Sequence, residues 1–199
     1  MKDFERLERD IIQRLETELD PTLTYHSAKH TADVIQSTQR LAEQEKVTEE
    51  EKALLKVAAL LHDSGFLLSF EEHEAFGAKL AREILPGYGY AQDEIEVVCR
   101  LIMATRVPQE PKGLLEFIIC DADLDYLGRP DFFETGDRLY HEFKARGIVK
   151  DYCSWDEIQI KFLEYHRYFT DTARATRADQ KAVHLEKVRE RLANCEPAS

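Results

Sequence analysis

Ionisable side chains set into helical stripes of apolar residues constrain this chain more than any other feature in it. His26, His30, Val34 and Leu41 follow one another at steps of four, four and seven residues. On a helix that spacing points both histidines where the core residues point. His62 lies four residues after Ala58 and seven after Leu55, and Asp123 lies four after Ile119. Burying such groups is costly unless something binds them. Histidines and carboxylates that converge on one point usually do so around a metal ion.

The stripes are helical along nearly the whole chain. Phe4, Leu7, Ile11, Ile12, Leu15 and Leu19 predict a first helix stopping at Asp20-Pro21, and Val34, Ile35, Thr38, Leu41 and Ala42 a second. Thr48 and Glu51 stand in capping-box relation before a broadly apolar third helix, Leu54 to Leu61, which that breadth marks as central. It should end at His62-Asp63, with Gly65 as terminator. Further helices are expected over about Glu72 to Leu85, around Ile95 to Ile102, from Gly113 to Tyr126, and from Pro130 to Gly147. An eighth should open on a Ser154/Glu157 capping box, and a last amphipathic one carries Ala175, Ala182, Leu185, Val188 and Leu192. No strand-like alternation persists. The expected architecture is all-α, about nine helices in a single domain over 1–199, with a metal-site core at about 22–128 and C-terminal helices 130–195 packing on it.

Composition excludes some partners. A formal net charge of −12 with no basic stripe argues against a nucleic acid polymer. A small phosphorylated substrate stays open, because a bound cation inverts the local field. The N-terminus is charged from the start, and no run approaches the ~20 apolar residues that span a bilayer. No membrane partner and a reducing cytoplasm are therefore the default. Cys99, Cys120, Cys153 and Cys195 are far apart and lack C-x-x-C spacing. This predicts neither a disulfide scaffold nor a thiolate zinc knuckle, and three of them read as small core residues.

Each candidate has a plainer reading beside the metal one. A His-x3-His pair can clamp one site, or it can be two hydrogen-bonded histidines at a helix start. Asp63 at a helix C-terminus would meet the negative end of the dipole unless a cation offset it, or it caps the next turn. Of Asp121, Asp123 and Asp125, which cannot share a helix face, Asp123 is the inward one because Ile119 and Ala122 flank it; the other two read as structural.

On His30, the doublet in Leu60-Leu61-His62-Asp63-Ser64-Gly65, and Ala122-Asp123-Leu124, the chain resembles the HD superfamily of metal-dependent phosphohydrolases. Tyr25-His26 through Val34 also resembles the corresponding helix of its cyclic-nucleotide phosphodiesterase branch. The resemblance covers about the first two-thirds of the chain. It implies an HD/phosphodiesterase-type helical fold and metal ligands at His30, His62, Asp63 and Asp123. His26 would match the histidine that protonates the leaving group. Ser64-Gly65-Phe66-Leu67-Leu68 lacks the Glu-Asp pair of alarmone hydrolases. It also lacks the His-x-x-x-Phe-Gly-His continuation of deoxynucleotide triphosphohydrolases and the Gly-Tyr-Pro extension of cyclic-di-GMP hydrolases, which counts against those substrates. His73 shares a stripe with Phe76, Gly77, Leu80 and Ile84. In two-metal branches a histidine on a comparable helix binds a second ion, but the inward position that should supply its partner holds Thr105. His73 and Thr105 are thus candidates for a second ion or for substrate contact. His141, His166 and His184 read as packing or surface histidines.

These residues imply hydrolysis of a phosphoester in a nucleotide or related small metabolite. One divalent ion of Mn, Fe, Co, Ni, Zn or Mg would lower the pKa of bound water and supply hydroxide, with Asp63 and Asp123 orienting it. His26 is the candidate to carry the proton the leaving oxygen needs. Lys29, Arg106 and Arg129 are candidate cations for a second phosphate, against a plainer reading as surface charges. Two alternatives stand beside the hydrolase: a di-iron HD-type oxygenase, and a catalytically silent metal-binding module. The aromatic-rich helices from Phe132 to Phe169 either close the pocket or form a homodimer face.

Overall fold

The computed structural model describes residues 2–195, and all regular structure among them is helical. Nine α-helices run α1 (Phe4–Glu18), α2 (Ala28–Gln44), α3 (Glu49–Leu61), α4 (His73–Ile84), α5 (Gln92–Ala104), α6 (Leu114–Asp123), α7 (Phe132–Ala145), α8 (Tyr152–Tyr165) and α9 (Asp171–Ala193). Short 3₁₀ turns follow α3 at Ser64–Leu67 and α6 at Asp125–Gly128. The chain divides into two compact units, Met1–Asp20 with His26–Asp123, and Pro21–Tyr25 with Leu124–Ser199. No helix among the described residues is long and apolar enough to cross a membrane.

The first unit is built around α3. Leu55, Val57, Ala58, Ala59, Leu60 and Leu61 are fully buried, as the breadth of its apolar stretch predicts. Helices α2, α5 and α6 all pack against it. Each buried leucine contributes roughly 1.5–3 kcal/mol of transfer free energy. The Thr48–Glu51 capping box forms as expected, with Glu51 N donating to Thr48 Oγ1 at 3.2 Å and Thr48 N to Glu51 Oε2 at 2.8 Å.

Gly65 has a different role from the expected terminator. It sits inside the 3₁₀ turn, where a Cβ would fall 1.8 Å from the His73 carbonyl oxygen and 2.7 Å from the Gly77 amide nitrogen. Backbone contact is therefore what this glycine permits: it lets the turn after α3 lie directly against the first turns of α4. Gly77 completes the approach from the other side, its Cβ position lying 3.1 Å from the Leu61 carbonyl oxygen. The chain enters α4 through Glu72, which takes a left-handed φ of 54°.

The second unit buries Tyr25, Leu124, Tyr126, Leu127, Phe132, Leu163 and Val188 together. Its interior also holds charge. Asp125 is 2% exposed and receives Arg177 Nε at 2.8 Å and Nη2 at 3.2 Å. Asp156 is fully buried beneath Arg191, and buried Glu142 accepts the Tyr25 amide at 3.1 Å. Removing one partner of such a pair strands a buried charge, which costs about 3–5 kcal/mol. His184, one of the expected packing histidines, stacks on Phe132 and donates from Nδ1 to the Leu127 carbonyl at 2.9 Å.

Two expectations are corrected here. Cys153 and Cys195 form a disulfide, with Cα atoms 5.8 Å apart and a sequence separation of 42. Sequence spacing could not show it, because the pairing depends on where the start of α8 and the end of α9 come to rest. Cys99 and Cys120 are free and buried, as small core residues should be. The capping box of α8 is Asp151 with Ser154, one turn earlier than Ser154 with Glu157: Ser154 N donates to Asp151 Oδ1 at 2.9 Å.

Gly65→Ala is expected to destabilise the protein by more than about 3 kcal/mol, since backbone and not a movable side chain blocks the new methyl. Urea unfolding would measure this. A loss under about 1 kcal/mol would mean that the turn and α4 separate easily.

Candidate metal centre

Three helix ends deliver the four central side chains. His30 lies in the first turn of α2, whose N-cap Ser27 accepts the His30 amide at 3.5 Å. His62 is the C-cap of α3 and Asp63 follows it, while Asp123 is the last residue of α6. His30 Nε2 and His62 Nε2 are 3.2 Å apart. Asp63 Oδ2 is 3.3 Å from the first nitrogen and 3.1 Å from the second. Asp123 Oδ1 lies at 3.4 Å and 3.5 Å from the same two atoms. His62 is fully buried, and His30 and Asp63 are 8% and 6% exposed.

The donor set fits a divalent cation. His62 Nδ1 is 2.8 Å from the Ala59 carbonyl oxygen, an acceptor only, so Nδ1 carries the proton and Nε2 of the neutral ring presents a lone pair. That lone pair faces a second imidazole nitrogen and two carboxylate oxygens. Asp63 Oδ2 is buried and makes no hydrogen bond of ordinary geometry. A cation among these atoms would offset the two carboxylates, and a backbone carbonyl that accepts from the other ring nitrogen fixes the tautomer a ligating imidazole needs.

Without a cation, protons take its place. Burial disfavours charge on His30, but the carboxylates of Asp123 and Asp63 outweigh it and raise the imidazole above its ordinary value. Burial likewise opposes charge on His62, and Asp63 and Asp123 again prevail, lifting it well above the ordinary range. Asp63 is held well below the usual carboxylate range, its burial overcome by His62 and His30. Asp123, also buried, is brought down to about 2 by the same two imidazoles.

His26 is not part of the α2 face. Ser27 caps the helix at Ala28, which leaves His26 just outside it and half-buried. Its ring centroid is 6.0 Å from that of His30 and 4.4 Å from that of Phe66. Phe66 also stacks on His73 at 3.9 Å, so one phenyl ring lies against both outer histidines. His73 Nε2 lies 3.6 Å from Asp63 Oδ1 and 3.3 Å from Glu74 Oε1. Thr105 is buried and its hydroxyl donates to the Ile102 carbonyl at 2.8 Å, within its own helix end.

The candidate cations are more dispersed. Lys29 and Arg106 are exposed, and Arg106 Nη2 is 3.9 Å from Glu72 Oε1. Arg129 belongs to the other unit and is bound to Asp131 at 2.9 and 2.6 Å. Sequence reasoning missed Phe66, Glu74 and Gln109. Phe66 was legible only as part of an apolar run, and Glu74 and Gln109 carry no periodic signal. Asp121 and Asp125, read from sequence as structural, are both buried, and Asp125 is paired with Arg177.

The pattern of the HD domain family matches residues 27–126. A crystal structure described as a predicted HD superfamily hydrolase from an uncultured Thermotogales bacterium is similar across 94% of this chain and 91% of its own. The TM-score is 0.60 and the identity 26%. An uncharacterized protein of Clostridium beijerinckii is 33% identical over 92 residues, which span 45% of this chain and 58% of that protein. The chain therefore belongs to the HD-domain family. Within the matched residues, His30, His62 and Asp123 form a group that could hold a metal ion.

Because the histidine pKa values are raised above the ordinary 6.5, protons compete with a metal at higher pH than for free imidazole. Affinity for a divalent ion should fall as pH is lowered from about 8 to about 6, with protons released on binding. Calorimetric titration in buffers of different ionisation enthalpy reads both. An affinity independent of pH across that range would contradict the assignment.

Proposed function

We propose that this protein hydrolyses a phosphoester bond in a nucleotide or related small phosphorylated metabolite, using one divalent ion held by His30, His62, Asp63 and Asp123. The observation that carries the reading is that the Nε2 atoms of His30 and His62, 3.2 Å apart, each lie within 3.5 Å of one carboxylate oxygen of Asp63 and one of Asp123, at three helix ends. When bound, such an ion supplies Lewis acidity, polarising a phosphoryl oxygen and acidifying water near neutral pH.

The protein's own residues do the remainder. Asp63 Oδ1 and Asp123 Oδ2 are the carboxylate oxygens turned away from the Nε2 atoms of His30 and His62; beside their contacts with His73 and Gln109, each keeps a lone pair that can accept a hydrogen bond from the attacking water. Phe66 packs against His26 and restricts its ring, which reduces the entropy lost in presenting it to substrate. His26 delivers a proton to the leaving oxygen, as a general acid must when the leaving group is a poor one. Exposed Lys29, next to His30 in the chain, and exposed Arg106 are the cations of this unit assigned to the substrate's non-reacting phosphate.

A second ion, and with it the di-iron oxygenase reading, draws its support from His73, whose Nε2 lies 3.6 Å from Asp63 Oδ1. Against it, the Thr105 hydroxyl is already committed to a backbone carbonyl. Elemental analysis separates the two. About one divalent ion per chain, lost in Asp63→Ala together with turnover, supports the mononuclear hydrolase; two irons per chain would replace it with the oxygenase.

His26→Ala should keep the ion and lose roughly 10²–10⁴-fold in kcat on alkyl phosphoesters, with a much smaller loss on an activated aryl ester. Equal losses on both would remove His26 from the acid role.

A further inference from the structure

We infer that Gln109 is a positioning residue for the metal centre, acting through Asp123; the inference rests on the metal reading above. Gln109 follows the end of α5 and is half-buried. Its Nε2 lies 3.4 Å from the Thr105 carbonyl oxygen and 3.4 Å from Asp123 Oδ2. An amide nitrogen has two hydrogens, and both of these oxygens lie within hydrogen-bond distance of it. Its Oε1 is buried and makes no hydrogen bond among the described residues.

Those facts settle which way the amide faces. Turned over, Oε1 would oppose a carbonyl oxygen and a carboxylate, a lone-pair clash on both sides. The adopted orientation instead leaves a buried acceptor unsatisfied, which costs about 1–3 kcal/mol. A side chain with no task would turn outward and hydrate that oxygen. Gln109 is held inward by the two bonds its nitrogen donates.

The consequence falls on Asp123. Gln109 engages Oδ2, so Oδ1 is the oxygen presented to His30 Nε2 and His62 Nε2 at 3.4 and 3.5 Å. The same amide ties this carboxylate, at the end of α6, to the carbonyl that ends α5. Outer partners of this kind typically change metal affinity 10–100-fold when removed.

The test uses the full chain stripped of metal and titrated with Co(II), followed by its visible absorption bands. Gln109→Met keeps the side-chain length and removes the amide. It should weaken Co(II) binding by about 10–100-fold and alter the band intensities, because Asp123 is freed to reorient. Thermal unfolding of the metal-free protein should match the parent, which a merely structural role would not allow. Gln109→Asn, withdrawn by one methylene, should also weaken binding severalfold, and it carries the test should the methionine variant not fold. Co(II) affinity within twofold of the parent and an unchanged spectrum, while Asp123→Ala loses the ion, would overturn the role of Gln109 and leave the centre standing. No Co(II) binding by the parent would overturn the metal reading and this inference together.

Discussion

Mutual repulsion among like groups is the constraint around which the first unit is arranged. Two imidazole nitrogens with converging lone pairs and two buried carboxylates cannot be assembled from neutral rings and free carboxylates without a large electrostatic cost. Protons meet that cost in part, as the raised histidines and depressed aspartates show. A divalent cation held by the same atoms would meet it as well.

Holding the four groups together requires rigid supports, and the fold supplies them as helix ends. The last turns of α3, Val57 to Leu61, are fully buried, so they cannot shift without disturbing α2, α5 and α6. The Ala59 carbonyl of that helix sets the tautomer of His62. The close backbone approach at Gly65 and Gly77 brings His73 and Glu74 beside Asp63. The second unit is stabilised differently, by an aromatic core, buried Arg–Asp pairs and the Cys153–Cys195 disulfide.

The central chemistry was readable because its signals are local or periodic. His62 and Asp63 terminate an unmistakably buried helix, Asp123 lies on an apolar stripe, and Thr48 with Glu51 marks a helix start in four residues. Errors arose where a local signal admitted two physical uses. Glycine after a helix suggests a terminator, yet Gly65 serves a backbone contact with α4, a partner 8 or more residues away in sequence. His26 continues a spacing of four, yet Ser27 caps α2 and leaves it off the helix. Asp151 and Ser154 compete with Ser154 and Glu157 as a capping box, and the loop before α8 chooses the first.

What the sequence determined by itself was the all-helical class, the buried character of α3 and the identity of the four ionisable side chains that meet at its end. These follow from period, breadth and the cost of burying charge, all of which act along the chain. What only the tertiary structure decided was which atoms meet: the Nε2 atoms of His30 and His62 at 3.2 Å, Phe66 between His26 and His73, Gln109 on Asp123, and Cys153 with Cys195. Those contacts join residues far apart in sequence, and no local rule carries information about them. They exist because packing α2, α5 and α6 around α3, and assembling α8 and α9 in the second unit, bring separate helix ends to common points.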